Sequence, residues 1–178
     1  MQTKLAMAEA VYREAELPML VRITPFSQPP QLDAHLELQG WVQHDPTLVM
    51  VYPTLNGLAA PGPPADCTWQ ALSHTGLAQT VGLMRGSPLL QQQAHAERLA
   101  QAPVPFHALA LRRASDGATL CCGQFAREGE LVGLYDVFTA QAARRQGLAS
   151  LLCRQLLAQA REQGARIGYL QVSADNTP

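Results

Sequence analysis

Apolar residues change their spacing several times along the chain, and each change marks an element. Residues 5–16 have helical spacing and good helix formers up to the break at Pro18, and 19–24 then read as a strand. Pro29 and Pro30 open a short helix that runs to Leu38 and stops at Gly40. Within 41–51 the run Leu48-Val49-Met50-Val51 is a strand, closed by Pro53. Pro53, Pro61, Pro63 and Pro64, interspersed with Gly57 and Gly62, sustain neither helix nor sheet. The expected organisation is therefore a first part over 1–52, a linker over 53–68 and a second part over 69–178.

In the second part, 69–84 and 87–101 suit two helices, the latter with Ser87 as N-cap and Pro88 in its first position. Residues 106–113, 119–127 and 130–139 read as three strands, with turns at Ser115-Asp116-Gly117 and Glu128-Gly129 that suit antiparallel hairpins. The third strand is apolar on both faces apart from Asp136, as expected in the middle of a sheet. Leu148, Leu151, Leu152 and Leu156 form one stripe of a helix over 147–163 with Gly164 at its C-cap, and 167–172 is a further strand. An antiparallel meander thus runs into one parallel β-α-β crossover, which is an α+β arrangement with a mixed sheet. A faint internal repeat relates 10–29 to 158–178, each ordered as helix end, break, strand and Pro-ended turn.

Composition narrows the chemistry. The 178 residues are 47% hydrophobic and 15% charged, with 13 Lys+Arg against 14 Asp+Glu, which excludes a disordered tail and offers no basic excess for a nucleic-acid backbone. Neither a secretory h-region nor an apolar run of membrane-spanning length occurs, so no membrane partner is expected. Cys67, Cys121, Cys122 and Cys153 lack CxxC spacing, which suits a reduced, cytoplasmic protein without a metal site, and Cys121, Cys122 and Cys153 read as small buried residues. The five histidines, His95 among them, show no ligand spacing and read as surface or internally satisfied side chains.

Candidate chemistry concentrates at Arg144-Arg145-Gln146-Gly147-Leu148-Ala149, where the buried strand turns into the leucine-striped helix. Unpaired N–H groups at a helix start, a glycine that lets an anion approach and adjacent arginines make a cradle for a pyrophosphate. Neither a P-loop lysine nor GxGxxG is present, which disfavours a nucleoside triphosphate or NAD. Asp136 is either a water-linked general base or a structural acid, and Tyr135 either core or cleft. In a regular strand the two point to opposite faces, so at most one of them is expected on a given side of the sheet.

Val137-Phe138-Thr139, followed by Arg144-x-x-Gly147-x-Ala149 and by a strand ending in Asp175-Asn176, resembles the acyl-CoA-binding core of the GNAT superfamily of N-acyltransferases. Gln141 stands where that family often has a proline. The resemblance implies a GNAT-like mixed sheet with helices on both faces and an enzyme that moves an acetyl group from acetyl-CoA to an amine. The alternative is a non-catalytic acyl-CoA-binding or structural module. It further implies that Val137, Phe138 and Thr139 bind the pantetheine arm, that Arg144, Arg145, Gln146, Gly147, Leu148 and Ala149 hold the pyrophosphate, with Asn176 also on the cofactor, and that Asp136 and Tyr135 are the catalytic candidates.

The family's proton donor is often a Tyr on a helix beyond the Asn176 position, with two strands after it. By that comparison the chain reads as an excerpt of a tandem protein, with 1–52 the C-terminal part of a preceding GNAT-like half. The apolar edge of Ile167, Tyr169, Leu170 and Val172 is then expected to lack cover, unless the strand near Val49 packs against it.

Overall fold

The computed structural model describes residues 2–176, and its contacts divide the chain between Pro46 and Thr47, ahead of the expected linker. The first unit contains α1 (Gln2–Glu14) and α2 (Leu32–Leu38). Helix α1 carries an exposed Arg13–Glu9 ion pair, and the chain turns beyond α2 through Gly40 N–H to Glu37 O, with Leu36 buried. The strand expected over 19–24 does not form. Its residues are mostly exposed and irregular, and among the described residues of this unit there is no strand for them to pair with. The internal repeat therefore has no strand in its first copy.

The second unit is built on one six-stranded sheet. Its strands are β1 (Thr47–Tyr52), β2 (Cys67–Leu72), β3 (Phe106–Arg113), β4 (Thr119–Glu128), β5 (Leu131–Thr139) and β6 (Ile167–Ser173), in the spatial order β1-β6-β5-β4-β3-β2. All neighbours are antiparallel except β5 and β6, which are parallel and joined through α5 (Leu148–Glu162). Helices α3 (His74–Arg85) and α4 (Leu89–Ala100) lie between β2 and β3 in the chain.

Alternate strand residues sort into two cores, one on each face. Leu109, Leu111 and Cys121 join Leu152 and Leu156 of α5, whereas Ala108, Ala110 and Cys122 join Leu77 and Val81 of α3 and Leu99 of α4. The α+β class, the mixed sheet with helices on both faces and the parallel crossover all stand as expected.

Three local expectations are corrected. The helix expected from residue 69 begins only at His74, because Ser73 caps it by accepting from Gly76 N–H at 3.0 Å and the residues before pair with β3 as an edge strand. Helix α4 starts one residue later than expected, with Pro88 as its cap, and Ser87 instead uses its carbonyl to accept from Gln92 Nε2 at 2.8 Å. Residues 53–66 form neither helix nor strand, yet they are no free linker: Leu55 N–H donates to Arg166 O at 2.8 Å, and Leu55 and Leu58 are buried in the α5-side core.

The edge at β6 is also covered. β1 pairs along it from Thr47↔Ser173 to Tyr52↔Gly168, so the ladder groups of β6 are satisfied on that side. The outer strand is then β1, whose Leu48, Val49, Met50 and Val51 are exposed.

Candidate functional site

Strand β5 holds the site, through a kink in its middle and a turn at its end. Along β4, Cys122 faces Phe138 and Gln124 faces Tyr135, so Asp136 and Val137 together oppose Gly123 alone. This is a β-bulge, and its extra residue is Asp136, which adopts φ +50. Asp is among the side chains that tolerate this left-handed region.

The bulge changes which way β5 points. Val132, Leu134 and Val137 pack on the α5 side, whereas Phe138 packs with the α3/α4 core. Tyr135 meets Phe106 of that same core edge to face at 5.4 Å, and the Asp136 carboxylate meets side chains of α3 and α4. Both residues thus lie on one face of the sheet. The expectation that at most one could do so fails because the extra residue breaks the alternation at this point.

Asp136 has three partners. Its Oδ2 accepts from Gln124 Nε2 at 2.8 Å and lies 3.1 Å from His95 Nε2, while Oδ1 is 3.6 Å from Arg85 Nη2. A carboxylate only accepts, so Nε2 of His95 carries a hydrogen, and the neutral tautomer this contact favours has its lone pair on Nδ1. Gln124 is 1% exposed, and with its Nε2 committed to Asp136 its Oε1 has no partner among the described residues. Arg85 also stacks over the Phe138 ring at 5.6 Å. Beside these groups opens a cleft of about 210 Å³, whose lining includes Arg85, Gln91, His95, Arg98 and Asp136.

Tyr135 does not join this cluster. It folds back over Gly133, where a β-carbon would collide with its ring, and its hydroxyl shares a 2.9 Å hydrogen bond with that of Tyr169. Burial, followed by that bond, pushes its phenol up to about 12. It lines a second, smaller cleft with Phe106 and Tyr169. The structure therefore brings Asp136 together with His95, Arg85 and Gln124, and leaves Tyr135 apart.

Beyond Leu134↔Leu170 the β5/β6 ladder stops, although both strands continue: β5 stays paired to β4 as far as Thr139, and β6 to β1 as far as Ser173. Two parallel strands that part in this way leave backbone groups of Val137 to Thr139 facing a gap. At its end the chain makes a 3₁₀ turn (Gln141–Ala143) with Ala143 buried, then Arg145 at φ +62 and Gly147 at φ +75 before α5 begins.

Gly147 is the helix cap and has no side chain to offer, and the α5 hydrogen bonds start only at Leu151 N–H to Gly147 O. The earlier amides of Leu148, Ala149 and Ser150 are thus left at the positive end of a fifteen-residue helix with no acid in its first turn. A β-carbon on Gly147 would meet nothing within 4 Å, so the space before the amides is open. Arg144 is steadied by Nε donating to Thr139 O at 3.3 Å and by the Phe138 ring at 5.6 Å. Arg145 and Gln146 are exposed at its side. These groups fit a diphosphate. Asn176 lies in the turn after β6 with its N–H donating to Ser173 O, and no described hydrogen bond joins it to the cradle.

His95 is the residue that sequence reasoning passed over. Its one sequence signal is indirect, a lone acid in an otherwise apolar strand that must find a partner somewhere. Cys121 and Cys122 are buried and Cys153 is half-buried, and desolvation pushes Cys121 and Cys153 up to about 11 and Cys122 up to about 12, which leaves these three as inert thiols at neutral pH. Among the described residues no cluster of His, Cys, Asp and Glu could hold a metal, and no helix is long and apolar enough to cross a membrane.

Comparison with known proteins bears on the whole arrangement. The profile described as the Acetyltransferase (GNAT) family matches residues 81–178, which include α4, the bulge and the cradle. No curated protein gives a significant match. Among solved structures, a tandem GNAT protein from the clavulanic acid biosynthesis pathway is similar over 99% of this chain and 62% of its own, at 14% identity and TM-score 0.74. GCN5-related N-acetyltransferases from Sphaerobacter thermophilus (16% identity, 82% of this chain and 48% of that, TM-score 0.61) and Kribbella flavida (21%, 83% and 56%, TM-score 0.55) share the fold. The chain spans roughly half to three-fifths of the length of these proteins. The bulged strand that parts from its parallel neighbour above an open helix start therefore has a family, and the chain belongs to the acetyltransferase (GNAT) family.

Proposed function

We propose that this chain carries the acyl-CoA site of an N-acetyltransferase, with acetyl-CoA as co-substrate and a cytoplasmic setting that suits its free buried thiols. The observation that carries the reading is the open, uncapped start of α5 where β5 has left β6. The diphosphate is held by the amides of Leu148 and Ala149 and the backbone of Gly147, flanked by Arg144, Arg145 and Gln146. The pantetheine arm runs along Val137, Phe138 and Thr139, whose backbone groups face the gap. Asn176 closes the far side of that gap at the end of β6.

Transfer needs a free amine. His95 Nδ1 takes the proton of the incoming ammonium, and Asp136 holds the ring in the tautomer that leaves Nδ1 free. The amine nitrogen then bonds to the thioester carbonyl carbon and the C–S bond breaks, giving the amide and the CoA thiol. Asp136, expected as a base in its own right, is in this reading the residue that positions the base. Tyr135, tied to Tyr169, has no part in proton transfer.

Calorimetric titration with acetyl-CoA tests the reading directly. Saturable binding that Gly147→Glu abolishes supports it, and the absence of both heat and thermal shift at millimolar acetyl-CoA would sink it. Binding without turnover of any amine would leave a non-catalytic acyl-CoA-binding module.

A further inference from the structure

The cleft beside Asp136 contains a cation that the protein does not neutralise. Arg85 is committed to Asp136 and to the Phe138 ring, His95 to Asp136, and the amide of Gln92 to Ser87 O. Arg98 lines the same cleft one helical turn along α4 from His95, and no hydrogen bond or ion pair engages it among the described residues. Among the described residues Asp136 is the only acid in the lining, and it already accepts from or faces three donors.

An acceptor amine entering this space meets a free guanidinium on the same helix face as the base. An amine with no other charge gains nothing from it, and a polycation is repelled with no acid left to pair with. A carboxylate on the acceptor matches the guanidinium fork with two parallel N–H···O bonds and leaves the amino group for His95.

On the reading that this is an acetyl-CoA-dependent site, we propose that the acceptor is a small amine bearing a carboxylate, which Arg98 holds while its nitrogen is presented to the His95–Asp136 pair. Arg98 is a specificity residue here, and Gln91, exposed one turn before His95, is placed to meet the remainder of the acceptor.

The test measures thiol release from acetyl-CoA with amines matched except for the carboxylate: phenylalanine against 2-phenylethylamine, β-alanine against ethylamine, and spermidine as a polycation. Within each pair kcat/KM should favour the carboxylated amine at least about tenfold, and Arg98→Ala should erase that preference through KM while kcat stays within about twofold. Arg98→Lys keeps the charge but loses the fork, so it should recover part of the preference. Where no amine is turned over, binding of the same pairs to the CoA-loaded protein, followed by calorimetry, reads the same preference. Equal values within both pairs, a preference for spermidine, or a ratio unchanged by Arg98→Ala would each overturn the inference. Titration of acetyl-CoA into the same preparations separates the two failures: loss of that binding removes the transferase reading, whereas intact binding without carboxylate preference removes this inference alone.

Discussion

The end of β5 and its middle carry the two halves of the proposed site, and they are assembled in opposite ways. At the end, the groups proposed to meet the diphosphate are backbone amides at the start of α5, and they need only a strand, a tight turn and a helix start without a side-chain cap in succession. In the middle, the groups are side chains from four elements, Arg85 of α3, His95 of α4, Gln124 of β4 and Asp136 of β5, which meet only if both helices pack correctly on the sheet. Backbone sites of the first kind are insensitive to most neighbouring side chains and fail when the backbone is obstructed. Sites of the second kind fail when any one side chain is changed, and they can change without disturbing the first.

The sharpest way to break the comparison is at Gly147. Gly147→Glu puts a β-carbon at φ +75 and a carboxylate into the open space before the amides. Losing two or three charge-assisted hydrogen bonds, each worth about 1.5 to 3 kcal/mol, should lower acetyl-CoA affinity by more than about a hundredfold in a calorimetric titration. Arg161→Ala, in the last turn of the same helix, should leave the affinity unaltered, and an equal loss there would mean that α5 as a whole, not its start, determines binding.

The converse experiment is His95→Gln, which keeps a polar side chain in the cleft but removes the proposed base. Turnover should fall about 10² to 10⁴-fold with acetyl-CoA affinity unchanged. Free imidazole should restore part of the rate to His95→Gly, a response that a purely structural histidine would not give. A smaller loss is expected from Asp136→Asn. Asn tolerates the left-handed region as Asp does, so the bulge survives and only the charge is lost. The expected fall in kcat is about ten- to hundredfold, the ~1.5 to 3 kcal/mol of one hydrogen bond to a charged group, with KM for acetyl-CoA unmoved. Should acetyl-CoA affinity fall in parallel, the two halves of β5 would not be independent.

The same contrast explains what was legible in the sequence. The strand, turn and helix start of the proposed cradle could be read because every part of them is consecutive: an apolar strand, paired arginines, Gly147 and a leucine stripe. The meander and crossover were legible for the same reason, since their turns and periods are strong and local. Residues 67–72 were not, because CTWQAL runs without a break into the α3 pattern and becomes a strand only by pairing with β3. Residues 19–24 failed in the other direction, having the composition of a strand and no neighbour to pair with. His95 could not be found by spacing, since its partner lies 41 positions away (136 − 95) with β3 and β4 between them. The bulge was equally hidden: nothing in Leu-Tyr-Asp-Val-Phe announces an extra residue, yet that residue decides where Asp136 points.

The smallest expected effect lies beneath both halves, where adjacent residues of β4 support one each. Cys121 faces the α5 side, with Sγ 3.7 Å from Leu148 O at the cradle, and Cys122 faces the α3/α4 side beneath Asp136. Both thiols are held well above their ordinary value of 9.0, Cys121 at about 11 and Cys122 at about 12, first of all by burial. A thiol whose value is raised on folding costs nothing while both states are protonated, below about pH 9. Above that the unfolded chain releases its proton and the folded one does not, so stability falls as pH rises from 9 toward 12. Melting temperature should thus be level from pH 7 to 8.5 and decline from pH 9 to 10.5. Cys121→Ala and Cys122→Ala should each flatten part of that decline, because burial raises both thiols. The acetyl-CoA affinity of Cys122→Ala at pH 7.5 should equal that of the unaltered protein, since its side chain belongs to the floor of the cleft and not to the cradle. A decline in melting temperature that neither substitution flattens would assign the alkaline loss to Cys153, raised to about 11, and to Tyr135, whose phenol is raised from 10.0 to about 12.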